Sequence, residues 1–285
     1  AFNVGLALVF LPFVSFAHRL TKRFLPSELA SEDPGAPKYL DQSSFDVPAV
    51  ALSCAARESL SMGDAVRGML AGSLEVFRGN NPELLREIER KDDVVDQLHE
   101  AIKLYLTRLS REELDTTESE RNVEVLSFTT NLEHIGDIID KNLMDLAAKK
   151  IKKRASFSTE GFEELEIFHG HILENFDLAM NVFMTGDIEM ARRLIQQKVS
   201  VRDLERNYAE THYARIGEGR PDSIETSSLH LDVLRDLKRI NGHLTSVAYP
   251  ILDRAGELIE SRLKMETEET AERDERSNVE PVRPS

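Results

Sequence analysis

The chain has 285 residues, 41% hydrophobic and 31% charged, with a formal net charge of −15. That length holds one large domain or two ordinary ones with a real core, and the composition is that of a folded chain. The negative balance excludes a nucleic-acid partner, which needs a basic face. A lone cysteine, Cys54, excludes an intrachain disulfide framework and a cysteine-rich zinc site.

In chain order, the first residue is alanine, and residues 1–17, AFNVGLALVFLPFVSFA, carry no charge. Roughly 17–25 apolar residues are needed to span a bilayer. Arg19, Lys22 and Arg23 follow at once, as cytoplasmic flanks do. Ser15-Phe16-Ala17 offers a signal-peptide cleavage site, but no basic segment precedes it. Residues 1–24 are therefore expected to be the end of a transmembrane helix, placing the protein at the inner membrane with its remainder on the cytoplasmic side. Residues 25–48, punctuated by Pro26, Pro34, Gly35, Pro37 and Pro48, form a linker.

Helices are predicted near 49–77, 82–110, 117–153, 159–185, 187–215 and 222–263, separated by polar breaks such as RGNNP (78–82) and GEGRPDS (217–223). Asn81 before Pro82 has the form of an N-cap with proline at the first helical position. Residues 264–285, rich in charge and poor in large apolar side chains, are expected to be a disordered acidic tail.

The second helix repeats Ile88, Val95, Ile102 and Leu109 every seven residues, with Leu84, Leu98 and Tyr105 beside them. The third repeats Val125, Leu132, Ile139 and Leu146, flanked by Phe128 and Ile135. Heptads of this kind specify near-parallel or antiparallel packing in a bundle. No strand pattern competes, so the fold class is all-α.

The chain also repeats itself. EVFRGNNPEL (75–84) aligns with NVFMTGDIEM (181–190), and VVDQL (94–98) with SVRDL (200–204), both at an offset of 106. NLEHIGDI (131–138) aligns with DLKRINGH (236–243) at 105. Two tandem three-helix repeats follow, 49–154 and 155–263.

Asp92 and Asp96 stand four apart on the second helix, as Glu133 and Asp137 do on the third, and residues four apart share a helix face. If the two helices pack side by side, these four carboxylates converge, and oxygen-rich sites suit a divalent or iron-type metal ion. The bland reading is a pair of solvated acidic faces. Gly136, within the acidic stretch, would let a ligand or helix approach the backbone, at about 1 kcal/mol against alanine. A ferritin-like di-iron centre needs two Glu-x-x-His motifs and fails on count, since only Asp96-x-x-His99 has that order. No nucleophile–base constellation or phosphate loop occurs, so the chain is not read as an enzyme. The run KKIKKR (149–154) reads as a helix C-terminus carrying its preferred cations rather than a lipid contact.

FNVGLALVFLPF, PKYLDQSSFDVPAVAL and the two three-helix repeats together resemble bacterial sodium/phosphate cotransporter family proteins with a C-terminal PhoU-like domain. The resemblance implies two tandem three-helix bundles acting as a regulatory domain of phosphate transport. It implies metal ligands at Asp92, Asp96, Glu133 and Asp137. It further implies as partners the chain's own membrane part, sodium and phosphate through an upstream transport domain, and a second copy in a homo-oligomer. The alternative is a soluble helical metal-binding or scaffold module without a transport role. The second repeat departs from the acidic pattern: Lys198, Arg202, Lys238 and Gly242 stand where the first has Asp92, Asp96, Glu133 and Asp137. Cations do not ligate metal, so Lys198, Arg202, Lys238 and Arg239 are instead a candidate anion-binding patch, phosphate included, against the plainer reading of a solvated salt-bridge network.

Overall fold

The computed structural model describes residues 35–257. The chain divides at Ala36–Pro37, and the description below concerns the unit that begins at Pro37. A short 3-10 turn, Gln42–Asp46, leads into α1 (Pro48–Gly79) and α2 (Pro82–Leu109). Next come α3 (Thr116–Ile138), a π-helical turn (Ile139–Met144) and α4 (Asp145–Lys153), which run on as one rod. The second repeat comprises α5 (Thr159–Thr185), α6 (Ile188–Gly217), α7 (Pro221–Glu225), α8 (Ser227–Thr245) and α9 (Ala248–Arg254). No strand occurs among the described residues.

The helix ends follow local chemistry. The Asn81 side chain accepts from the Glu83 and Leu84 N–H groups at 2.9 and 3.2 Å, with Pro82 at the first position. Its counterpart 106 residues on, Asp187, caps α6 by accepting from Met190 N at 2.8 Å. Asp115 and Glu118 form a reciprocal capping box at the start of α3. The sequence predicts one last helix over 222–263, whereas the structure divides that region at Thr226 and again at Ser246–Val247. Pro250 accounts for the second break, because its ring clashes with the carbonyl four residues back.

Both heptad seams are buried. Ile88, Val95, Ile102 and Leu109 are fully enclosed, as are Val125 and Ile139; burial of each such side chain contributes roughly 1.5–3 kcal/mol. Helix α1 packs on α2 and α3, while α5 packs on α6 and α8. The two repeats meet along α1–α5 and α3–α8. Phe128 stacks on Phe183 with centroids 3.9 Å apart, and His169 Nε2 lies 2.8 Å from the Leu70 carbonyl.

Part of the expected linker is held in place. The carboxylate of Glu58, fully buried in α1, accepts the backbone N–H groups of Lys38 at 2.8 Å and Tyr39 at 2.6 Å. Tyr105 donates its hydroxyl to the Asp41 carbonyl at 2.7 Å. In the basic run, Lys150 is buried and donates to the Phe77 carbonyl and the Asn80 side chain, at 2.9 and 2.7 Å. That lysine completes the C-terminus of α1, where Asn80 adopts φ 50°.

The inner-membrane placement expected from the sequence is corrected: no helix among the described residues is long and apolar enough to cross a membrane. Segment 1–24, on which that expectation rested, lies outside the described residues, as do residues 25–34 of the linker and the 264–285 tail.

A buried polar network ties α5, α6 and α8 together. Arg215 donates two hydrogen bonds to Glu164, both 2.7 Å, and Thr211 donates a third, also 2.7 Å. The His212 and His230 rings stack beside them with centroids 4.5 Å apart. Burial would raise the Glu164 carboxyl, but the hydrogen bonds from Arg215, His230 and Thr211 hold it down at about 2. Burial, joined by the His230 and Arg215 charges, pushes His212 down to about 4.

Candidate functional site

Helices α2 and α3 bring three of the four expected carboxylates together. One oxygen each from Asp92, Asp96 and Asp137 lies within 4.8 Å of the others, a spacing that ligands about 2.0–2.6 Å from a shared cation can span. Asp92 and Asp96 are one turn apart on α2, so both reach the facing helix. Asp92 is 5% exposed, and its Oδ1 has no hydrogen-bond partner among the described residues. Such a group carries a full desolvation penalty unless something satisfies it.

Gly136 explains how the carboxylate fits. A Cβ on Gly136 would stand 2.7 Å from Asp92 Oδ1 and 3.3 Å from Val95 Cγ1. The missing side chain is thus what lets a buried carboxylate lie against the α3 backbone. Directly after it the helix widens into the π turn Ile139–Met144, a device often found at functional sites. This turn carries Asp140, a carboxylate the sequence reading did not single out although it stands three residues beyond Asp137. Burial pushes Asp140 up, and the Glu89 charge adds to it. Burial also pushes Asp92 up, to about 7, reinforced by the charges of Asp140, Asp96 and Asp137.

Lys141 makes an ion pair with Asp137 and supplies part of the missing positive charge. Glu133 goes elsewhere: its carboxylate lies 2.9 Å from His134 Nδ1 and does not join the three aspartates. The His134 ring in turn faces His243 of α8, 5.3 Å away, and His243 Nδ1 is 2.9 Å from Asn131 Oδ1. The donor set of Asp92, Asp96 and Asp137 is all oxygen, which suits a hard divalent cation or iron. The orphaned Asp92 oxygen and the cradle at Gly136 fit such an ion.

The corresponding face of the second repeat is an open cleft of about 680 Å³. Lys198 and Arg202 of α6 and Lys238 of α8 line it, with Tyr249 of α9. Arg239, the fourth residue of the expected patch, turns to the buried Asp236 at 2.9 Å instead.

The described residues thus form a two-repeat, all-helical module with an acidic cluster in one repeat and a basic cleft in the other. The chain belongs to the PhoU domain family, whose pattern occurs twice, over residues 60–145 and 165–251. The two matches are offset by 105–106 residues, as the internal alignment requires.

Over 256 residues, 90% of the chain, it is 40% identical to the protein of Escherichia coli (strain K12) named "Putative inorganic phosphate export protein YjbB". It spans about half, 47%, of that relative's length. It is 27% identical over 199 residues to "Phosphate-specific transport system accessory protein PhoU homolog 1" of Thermotoga maritima, covering 68% of this chain and 79% of that one. The fold is that of PhoU from Pseudomonas aeruginosa, with TM-score 0.65 and 19% identity over 73% of this chain and 97% of that one. The regulatory protein PhoU from Streptococcus pneumoniae matches with the same TM-score at 17% identity, covering 76% of this chain and all of that one.

Proposed function

We propose that this chain is a regulatory module of phosphate transport whose first repeat responds to a metal ion. The observation that carries the reading is the buried Asp92 carboxylate, grouped with those of Asp96 and Asp137, with one oxygen left unpartnered among the described residues against the side-chain-free backbone at Gly136. Membership of the PhoU domain family and the phosphate-transport names of its relatives support the choice of process. The transport step would belong to a part of such proteins that this chain does not span, and the movement regulated would be sodium-coupled. The module itself binds and does not catalyse.

Asp92 and Asp96 would hold the ion from α2 and Asp137 from α3, with Asp140 adding negative charge beside them. A bound cation supplies the positive charge that offsets the mutual repulsion of these carboxylates. Gly136 keeps the two helices close enough to share it, and the Lys141 ammonium provides a weaker substitute from the rim. A module that holds α2 and α3 together in one state and lets them relax in another biases any partner that contacts those states differently.

The test compares wild type with Asp96→Asn/Asp137→Asn. Elemental analysis of the purified chain should find metal in the first and at least tenfold less in the second. Phosphate flux in cells carrying each form should differ, and should lose that difference when sodium is replaced by potassium. Equal metal content in both proteins refutes the metal site; equal flux refutes the regulatory role; a difference that persists in potassium refutes sodium coupling.

A further inference from the structure

The geometry points to a phosphoryl-anion site in the second repeat, in the cleft formed by Lys198, Arg202, Lys238, Asn241 and Tyr249. The cleft is the charge-inverted counterpart of the aspartate site: Lys198 and Arg202 occupy the α6 positions that Asp92 and Asp96 occupy on α2. Its volume of about 680 Å³ lies within the roughly 300–1,000 Å³ of small-ligand pockets.

Each polar side chain of the lining is equipped to donate. Lys198 Nζ donates to the Tyr249 hydroxyl at 2.9 Å and sits 5.2 Å from the ring centroid, so the ring holds the ammonium at the cleft wall. The phenol's own O–H has no acceptor among the described residues. Arg202 makes no hydrogen bond among them, and its carboxylate contact, to Asp203, is 3.6 Å long. Asn241, 1% exposed, has its amide oxygen engaged by Asn175 at 2.8 Å, which leaves its NH₂ group as the part able to donate further.

Lys238 is paired with Glu205 at 2.9 Å. Lys238 stays partly open to solvent in that pair, so an anion with two or more charges competes with Glu205 for the ammonium. Gly242 forms open floor, since a Cβ there would meet nothing within 4 Å. An arginine fork, two ammoniums, a phenol and an amide around an open space suit a tetrahedral oxyanion with several acceptor oxygens. Ile195 and Val199 complete the lining as apolar wall, so the polar groups fix where the oxyanion sits.

The choice of phosphate over other oxyanions rests on the phosphate-transport reading. The affinity for a multivalent oxyanion rests on the cleft's own residues. Two sources share the chemistry, free orthophosphate and a phosphate chain.

The 285-residue chain, kept in EDTA so that no metal mediates binding, is titrated calorimetrically with orthophosphate, pyrophosphate and sulfate. Saturable 1:1 binding of orthophosphate or pyrophosphate, tighter than sulfate, is expected, and the tighter of the two identifies the source. Lys198→Gln/Lys238→Gln should weaken it at least tenfold. Gly242→Leu, which fills the floor while leaving every charge in place, should weaken it comparably. Arg206→Gln, on the same helix outside the cleft, and Asp96→Asn/Asp137→Asn should bind as wild type does, which separates this site from the metal reading. Sulfate binding as tightly as both phosphates overturns the phosphate assignment. No saturable binding at millimolar phosphate and pyrophosphate, or binding unchanged in both cleft variants, overturns the site.

Discussion

Alanine at position 136 tests whether the glycine is there for the carboxylate. In an exposed helix interior, glycine to alanine stabilises by about 1 kcal/mol, because alanine loses less backbone entropy on folding. At Gly136 the new Cβ would stand 2.7 Å from Asp92 Oδ1, closer than the 3.0 Å that real Cβ contacts respect. Asp92 is a short, buried side chain on a packed helix, with Val95 Cγ1 already 3.3 Å from the same point. Relief requires a helix shift or a rotated carboxylate, and overpacking of this kind costs about 1–3 kcal/mol. The net effect is a loss of about 0–2 kcal/mol where the propensity alone predicts a gain.

Gly68→Ala provides the control, since a Cβ at that exposed position in α1 meets nothing within 4 Å. It should raise the melting temperature by about 2–4 °C. Thermal unfolding by circular dichroism in EDTA, paired with elemental analysis, reads both effects. Gly136→Ala should melt at or below wild type and retain at least tenfold less metal, while Gly68→Ala melts higher and retains it. If Gly136→Ala melts as high as Gly68→Ala and binds metal normally, the glycine is not a cradle and the reasoning fails.

Two further outcomes follow from the buried charges. Asp92 holds its proton up to about pH 7 in the folded, metal-free chain and only to about 4 when unfolded. The folded state binds the extra proton between those values, so stability falls as pH rises through that window, by at most about 4 kcal/mol. Asp92→Asn should flatten that slope in denaturant titrations in EDTA at pH 5 and 8 and abolish stabilisation by added divalent metal; an unchanged slope rejects the assignment.

For Glu164 the sign is opposite: its carboxyl is held at about 2 against about 4.5, so its contribution of about 3 kcal/mol is present above pH 4.5 and lost as pH falls toward 2. Glu164→Gln, which leaves the Arg215 charge buried and unpaired, should lose about 3–5 kcal/mol at pH 7, and far less near pH 2. A uniform loss across that range contradicts the network.

Legibility in the sequence tracked how local each signal was. The seams of Ile88–Leu109 and Val125–Leu146 were readable because a heptad repeat is written along one strand of chain and needs no partner to be recognised. The Asn81 cap and the pairing of Asp92 with Asp96 were readable for the same reason. The placement of Glu133 and Asp140 was not readable: Glu133, on α3, turns to His134, and Asp140 sits in the π turn that follows, near the aspartates. A change of helical register at Ile139 leaves no mark in a periodic pattern. The Glu164–Arg215–His230 network joins positions 15 to 66 residues apart, with no spacing rule to betray it.

By itself the sequence determined the helices, the duplication and the inversion of charge between the two copies, because each is a property of neighbouring residues or of aligned segments. The tertiary structure alone decided that three aspartates, and not Glu133, come together, and that Lys198, Arg202 and Lys238 share a cleft from which Arg239 is drawn away. Spacing on one helix fixes which face a side chain occupies. Where two faces converge depends on the rotation and axial offset between helices, and those are set by the packing of the whole core.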